Sequence, residues 1–100
     1  MTEYQKGIEI VQDLIKKRWV PEILHSIKLG NKTYTNILNS IEYLSQTELQ
    51  RKLKILEEYE AINKNEKDLC YDLTEFGNEI DHLFQHVYEL GQKYLRRDKI

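Results

Sequence analysis

The feature that most limits the possible folds of this chain is a sharply started amphipathic segment between Ser45 and Leu56. Ser45 is followed three residues later by Glu48, the capping-box pattern in which two side chains bond the first free backbone N–H groups of a helix. Leu49, Leu53 and Leu56 then recur at three and four residues, which places them on one helical face. We therefore predict a helix that begins after Ser45 and packs these leucines inward.

The opposite face of this helix carries side chains that donate and accept hydrogen bonds. Amide, hydroxyl and guanidinium groups are the ones that read base edges in the major groove of DNA. A solvated surface helix has a similar pattern, so this segment alone leaves both interpretations open. The polar residues of the face are Gln46, Thr47, Gln50, Arg51 and Lys54.

Composition limits the partners of this 100-residue chain, which has the size of one domain. Its net charge of −2 lacks the global basic character of many nucleic-acid-binding proteins. The charge is segregated, however: three cations against one carboxylate give residues 45–56 a balance of +2, and four carboxylates give residues 75–90 one of −4. A local basic face can still displace counterions from DNA phosphates.

The single cysteine, Cys70, allows no disulfide within the chain, which agrees with a reducing compartment. Neither an apolar signal region nor an apolar run of membrane-spanning length is present in the sequence. We therefore expect a cytoplasmic protein without membrane contact. Lys67 is the nearest cation to Cys70 in sequence, so we interpret this thiol as structural rather than redox-sensing.

Apolar spacing predicts three further helices before this segment. The first lies within residues 1–19, with Thr2 and Gln5 as a weaker capping pair. Pro21 is expected as the first residue of the second helix, which Gly30 ends, and a third, short helix begins around Thr35. Residues 33–56 then have a helix-turn-helix layout, although the turn lacks the glycine that such turns often contain.

The period of the apolar residues changes to two after the fourth helix. Leu69, Tyr71 and Leu73 alternate with polar residues, as in a half-buried strand, so residues 61–73 are predicted to form a β-hairpin. A hairpin directly after a helix-turn-helix is a wing. The expected fold is mainly α with a small β-hairpin, a winged helix-turn-helix in one domain over residues 1–100.

A long amphipathic helix, capped by Thr74, is predicted over residues 75–97. Its apolar stripe is longer than one small core requires, so we interpret it as a dimer helix. Packing against the first helix of the same chain is the alternative. The candidate dimerisation residues of this helix are Leu83, Phe84, Val87, Tyr88 and Gly91.

Four motifs occur in a fairly specific order along nearly the whole chain. They are Lys17-Arg18-Trp19, Tyr34-Thr35-Asn36-Ile37, the leucines after Ser45, and Tyr71-Asp72-Leu73-Thr74-Glu75-Phe76-Gly77. In these motifs the chain resembles the HxlR-type winged-helix transcription regulators, whose strand-to-helix signature is Tyr-x-Leu-Thr-x-x-Gly. PadR-type and MarR-type regulators share the fold and remain alternative assignments.

The resemblance implies a homodimer whose first and last helices, residues 1–19 and 75–97, form the interface, with Ile8, Val11 and Ile15 on the first helix. This homodimer would bind double-stranded DNA at a palindromic operator, usually as a repressor. Each subunit would place the helix after Ser45 in a major groove, with the helix N-terminus near a phosphate. On that model the base-reading residues are Gln46, Thr47, Gln50 and Arg51. Phosphate contacts are expected from Thr33, Lys52, Lys54, Lys64 and Lys67.

Three departures from the family pattern limit what the resemblance implies. Such proteins usually carry a cysteine shortly before the first helix, which senses oxidants in some members, and this chain has none there. Glu60 stands where a glycine usually follows the recognition helix. The wing tip, residues 63–68, is short and lacks the usual proline-rich tip and arginine.

Other chemistry has weaker support in the sequence. We find no nucleophile–base pair, phosphate-binding glycine loop or convergent carboxylates, and therefore expect no catalytic residue and no cofactor. His82 and His86 have a spacing that could bring both to one metal, but such pairs arise often by chance, and we assign no metal site. A small-molecule effector is compatible with the seven tyrosines but not indicated by them.

The alternative function is a winged-helix module that binds protein without DNA. The acidic balance and the thin wing favour it. The face after Ser45 shows amides and cations rather than the aromatic or aliphatic anchors of a protein-binding surface, which favours DNA.

Overall fold

The computed structural model describes residues 1–95 and contains five α-helices and one hairpin in these residues. Their order confirms the predicted fold class, mainly α with a small β-hairpin. A π-helical turn, Gly91–Leu95, continues the last helix, and residues 96–97 of the predicted helix lie outside the described residues. The elements are α1 (Glu3–Ile15), α2 (Val20–Lys28), α3 (Tyr34–Ser40), α4 (Gln46–Glu58), β1 (Ile62–Lys64), β2 (Tyr71–Leu73) and α5 (Glu75–Leu90).

Hydroxyl side chains cap the first turns of α3, α4 and α5. In each case the oxygen accepts a hydrogen bond from the N–H three residues later, which satisfies a donor that the helix itself leaves free. The caps predicted at Ser45 and Thr74 are therefore confirmed. The three capping residues are Thr33, Ser45 and Thr74.

The full reciprocal capping box occurs at α1 rather than at α4. Thr2 accepts from the Gln5 N–H at 3.1 Å, and the Gln5 side chain accepts from the Thr2 N–H at 2.8 Å. At α4 the first half forms, but Glu48 directs both carboxylate oxygens forward along the helix, to Arg51 and Lys52. Two cations one turn ahead compete with the backbone N–H for this carboxylate.

Gly30 terminates α2 as predicted: it follows the C-cap residue Leu29 and has φ of 107°. The N–H groups of Gly30 and Asn31 bond the carbonyls of Ile27 and Ser26, both at 3.0 Å, the pattern of a Schellman motif. At the other end of α2, Pro21 is the second helical residue instead of the first, because Trp19 adopts φ of 75° as the N-cap.

The hairpin pairs Ile62 with Leu73 and Lys64 with Tyr71, in antiparallel register. The prediction that Leu69 belongs to the second strand is wrong: Leu69 has φ of 58° and a 55% exposed side chain. A turn that begins at Asn65 uses this residue to reverse the chain, with the Leu69 N–H bonded to the Asn65 carbonyl at 2.7 Å.

Helices α1, α2, α3 and α4, the hairpin and the start of α5 share one apolar core. The Tyr71 N–H bonds the Lys32 carbonyl at 2.7 Å and so attaches the wing to the segment after α2. No helix of residues 1–95 is both long and apolar enough to cross a membrane. The core side chains are Leu14, Val20, Ile23, Leu24, Ile27, Ile37, Leu44, Leu49, Leu53, Leu56, Ala61, Ile62, Tyr71 and Ile80.

Candidate nucleic-acid interface

The helix α4 is held by its leucine face, as the sequence predicts. Leu49, Leu53 and Leu56 are buried in the core. The Tyr34 hydroxyl at the start of α3 donates to the Gln46 carbonyl at 3.1 Å and links the two helices of the helix-turn-helix. Since both the back and the N-terminus of α4 are fixed, its outer face has a defined orientation.

That outer face is open to solvent and carries most of the predicted base-reading and phosphate-binding groups. All five polar residues predicted for the face are exposed, and Ser45 lies exposed at the helix start. This confirms their placement, while their contact with DNA stays a prediction. The exposed residues of the face are Gln46, Thr47, Gln50, Arg51 and Lys54.

The structure corrects the placement of Lys52 on the phosphate-contacting surface, because its side chain is only 11% exposed. It lies three residues after Leu49 and four before Leu56, which is the spacing of the buried stripe itself. Its ammonium group reaches Glu48 at 3.0 Å. Lys52 therefore belongs to the support of α4 rather than to its phosphate-contacting surface, and the leucine spacing would have indicated this.

Glu48 is a residue of the interface that sequence reasoning assigned only to helix capping. Hydrogen bonds from Lys52 and then Arg51 hold the pKa of the Glu48 carboxyl below its ordinary value, so this group is ionised at neutral pH. Its negative charge offsets one of the three positive charges of α4. The exposed cation of α4 outside this network, within residues 1–95, is Lys54.

The flanking phosphate-contact candidates occupy different environments. Lys64 and Lys67 are exposed on the hairpin, as expected for a wing. The Lys67 N–H bonds the Asn65 side chain at 2.8 Å, which shapes the turn at the tip. Thr33 is half-buried and its hydroxyl oxygen accepts from the Asn36 N–H at 3.1 Å, so its main role is to cap α3.

Apolar side chains also remain open to solvent on α1 and on α5. Ile8, Leu83, Val87 and Tyr88 are exposed, whereas the other predicted interface side chains are half-buried against the core. A Cβ built on Gly91 would meet nothing within 4 Å. Further apolar side chains of α1 and of the last helical segments are exposed as well, namely Tyr4, Ile10, Leu90 and Tyr94.

His82 and His86 are both exposed on α5. Within residues 1–95 they belong to no group of three side chains that could hold a metal ion.

A helix-turn-helix with an open polar face on its second helix, followed by a two-stranded wing, defines the class of winged-helix proteins. The model of the HxlR-like helix-turn-helix family matches residues 14–99, and this chain belongs to that family. It is a transcriptional regulator of the HxlR family, and the family resemblance predicted from the four sequence motifs is confirmed.

Known relatives agree with this assignment. The HTH-type transcriptional regulator YodB of Bacillus subtilis (strain 168) is 31% identical over 92 residues, which cover 87% of this chain and 82% of YodB. The crystal structure of quinone-bound YodB matches with a TM-score of 0.79 at 29% identity, over 94% of this chain and all of that one. These relatives are regulators and not enzymes.

A more distant relative shares the same architecture. The crystal structure of a possible HxlR family transcriptional factor from Thermoplasma volcanium GSS1 matches with a TM-score of 0.66 at 27% identity, over 83% of each chain.

Proposed function

We propose that this HxlR-family regulator is a homodimeric repressor that binds a palindromic operator in a sequence-specific way, with α4 in the major groove. One observation carries the proposal: the amides, hydroxyl and guanidinium of α4 form an exposed row on a helix whose leucines are buried. The row needs no rearrangement of the core to reach base edges.

The dimer is supported by the apolar surface of α1 and α5. Monomeric soluble proteins seldom expose large contiguous apolar patches, and both α1 and α5 expose several apolar side chains. A two-fold axis that pairs these helices would cover Leu83, Val87 and Ile8 and would present two copies of α4 to two half-sites. The half-sites would lie about one helical turn of DNA apart.

Selection of bound sequences from a random DNA pool tests the proposal. We expect a palindromic consensus, and we expect affinity for it to fall steeply as salt rises, because phosphate contacts release counterions. Repression is then measured with a reporter gene that carries the selected site upstream. Recovery of no consensus would contradict the proposal.

Arg51→Ala tests the helix assignment within the same assay. Loss of a bidentate base contact should weaken operator binding by about 1–3 kcal/mol and relax the preference at one base pair. Lys16→Ala is the matched control, since it removes one exposed positive charge from the end of α1, far from α4 in sequence. Equal effects of the two variants would contradict base reading by Arg51.

A protein-binding module without DNA affinity is the second candidate function. The charge of α4 as a whole favours it, because the helix carries three cations and three carboxylates, Glu48, Glu57 and Glu58, and therefore no net positive charge. The same selection experiment separates the two functions: this candidate predicts no enriched DNA sequence at any salt concentration.

The relative YodB has a quinone-bound structure, which raises the question of a small-molecule effector here. In this chain the single thiol, Cys70, lies just before β2 of the wing, and burial and then Asp68 raise its pKa. A raised pKa lowers the fraction of reactive thiolate at neutral pH. We therefore propose regulation by DNA binding without assigning an effector.

A further inference from the structure

The charged side chains in the first turns of α4 form one connected network. Glu48 is the third helical residue, from which a capping box would direct the carboxylate back to the Ser45 N–H. Instead, Oε1 of Glu48 accepts from Nη1 of Arg51, and Oε2 accepts from Nζ of Lys52 at 3.0 Å. We name Glu48, Arg51 and Lys52 the α4 charge triad.

Exposure increases along the triad from one end to the other. The side chains of Lys52, Glu48 and Arg51 are 11%, 28% and 64% exposed. The packed stem of Lys52 holds its ammonium group in place, and this group fixes one oxygen of Glu48. The other oxygen then fixes the Arg51 guanidinium at the surface. The triad therefore connects the buried side of α4 to a group on its outer face.

A fixed arginine has two consequences for a DNA-binding helix. A free arginine loses much rotamer freedom when it binds, whereas one held beforehand in the binding orientation loses less. In addition, the Glu48 charge offsets part of the attraction between α4 and DNA phosphates, which acts on every sequence alike. Both effects act on discrimination between sequences more than on total affinity.

We propose that Glu48 is a positioning residue that sets the sequence specificity of α4, because it holds the Arg51 guanidinium for one base pair and weakens binding to unrelated DNA. This inference rests on the proposed DNA-binding function. Under this proposal Glu48 lowers the affinity of α4 for DNA of unrelated sequence. Weakening the binding of the wrong partner is a common source of specificity.

Glu48→Gln tests the proposal, since it keeps the size of the side chain and one acceptor oxygen while it removes the charge. We expect the variant to bind an unrelated duplex about 5- to 10-fold more tightly, with a steeper salt dependence. The ratio of operator affinity to unrelated-duplex affinity should fall by about tenfold. Glu58→Gln is the matched control, because it removes the same charge from the exposed last turn of α4. The control should keep the ratio within about twofold.

Lys52→Met separates positioning from simple charge. The variant keeps the apolar stem of the side chain but removes the ammonium group that anchors Glu48. If only net charge mattered, the loss of a positive charge would weaken unrelated binding most and the affinity ratio would rise. We expect the ratio to fall, because Arg51 loses its fixed orientation. A rise of the ratio would overturn the proposal.

The mobility of Arg51 gives a readout that needs no DNA. NMR relaxation of the Arg51 Nε–H group in the free protein should show a lower order parameter in Glu48→Gln and in Lys52→Met than in the unmodified chain. Glu58→Gln should leave it unchanged. An equal order parameter in all four proteins would overturn the positioning role.

The outcomes also separate this inference from the function on which it rests. If the unmodified protein selects no sequence from a random pool, the proposed function fails. If it selects an operator and Glu48→Gln keeps the same affinity ratio, the inference fails alone.

Discussion

At the scale of single residues, the turns of this protein depend on left-handed backbone conformations in side chains that seldom adopt them. Trp19, Tyr43, Glu60 and Leu69 have φ between 58° and 75°, and each lies where one element ends or the next begins. This conformation raises the free energy of an L residue, because its Cβ approaches a backbone oxygen. Tyr43 explains how the helix-turn-helix reverses without the glycine that such turns often contain.

Glu60→Gly should raise the free energy of unfolding by about 1 kcal/mol, because glycine has no Cβ to strain at φ of 60°. The N–H groups of Glu60 and Ala61 would keep their bonds to Glu57 and Leu56, both at 2.9 Å. Urea unfolding measures the change. The control is Glu58→Gly, which removes the same charge inside α4 and should destabilise the protein by about 1 kcal/mol. Equal shifts of the two variants would contradict this account.

Cys70 should react slowly with thiol reagents at neutral pH. Burial and the Asp68 carboxylate raise the pKa of its thiol from the ordinary 9.0, so the thiolate becomes the major form only at higher pH. Alkylation rates measured from pH 7 to 10 should still be rising at pH 9. Asp68→Asn keeps an acceptor for the Cys70 N–H and should speed the reaction at each pH in this range. A plateau below pH 9 in the unmodified protein would contradict the raised pKa.

At the scale of elements, the Tyr-x-Leu-Thr-x-x-Gly signature has a physical explanation in the junction between the wing and α5. The Thr74 hydroxyl donates to the Glu60 carbonyl at 2.6 Å and accepts from the Gly77 N–H at 3.0 Å. The Thr74 N–H bonds the Ala61 carbonyl at 3.0 Å. One residue thus caps α5 and fastens it to the segment that follows α4.

Gly77→Ala should destabilise the protein by about 1–3 kcal/mol, because backbone must move to admit the new methyl group. A Cβ at this position would lie 1.9 Å from the Ala61 carbonyl oxygen. Thermal or urea unfolding detects the loss. Gly7→Ala is the matched control, since nothing lies within 4 Å of its Cβ position in α1. We expect that control to gain about 0.5–1 kcal/mol, and a similar gain at position 77 would contradict the close approach.

At the scale of the whole molecule, helices near both ends of the described residues leave apolar side chains uncovered. The start of α1 contributes exposed Tyr4 and Ile8, and α5 contributes Leu83, Val87 and Leu90. The core beneath them is complete without these side chains. These exposed side chains support the homodimer proposed above.

Val87→Glu should convert the proposed dimer to a monomer, because each interface would then bury two unpaired carboxylates. Sedimentation velocity at micromolar concentration measures the association state. His82→Glu adds the same charge at an exposed position of α5 outside the predicted apolar stripe and should leave the dimer intact. Loss of specific DNA binding should accompany dissociation. An unmodified chain that sediments as a monomer would contradict the dimer proposal itself.

The sequence by itself determined the elements of this protein and the inner face of each helix. Caps at Ser45 and Thr74, the glycine that ends α2 and the leucine spacing of α4 depend on neighbours within a few residues, so a local pattern is sufficient to predict them. The exposed row from Gln46 to Arg51 follows from the same spacing.

Only the tertiary structure decided which groups share a local environment. The leucine spacing places Lys52 beside the buried stripe, and the elements packed against α4 decide that its side chain is only 11% exposed. Leu69 lies in the turn instead of the strand, and the strand begins at Tyr71, whose N–H bonds the Lys32 carbonyl, a partner distant in sequence that no local pattern contains. The burial of a side chain and the partner of a backbone N–H depend here on relative positions that the fold sets.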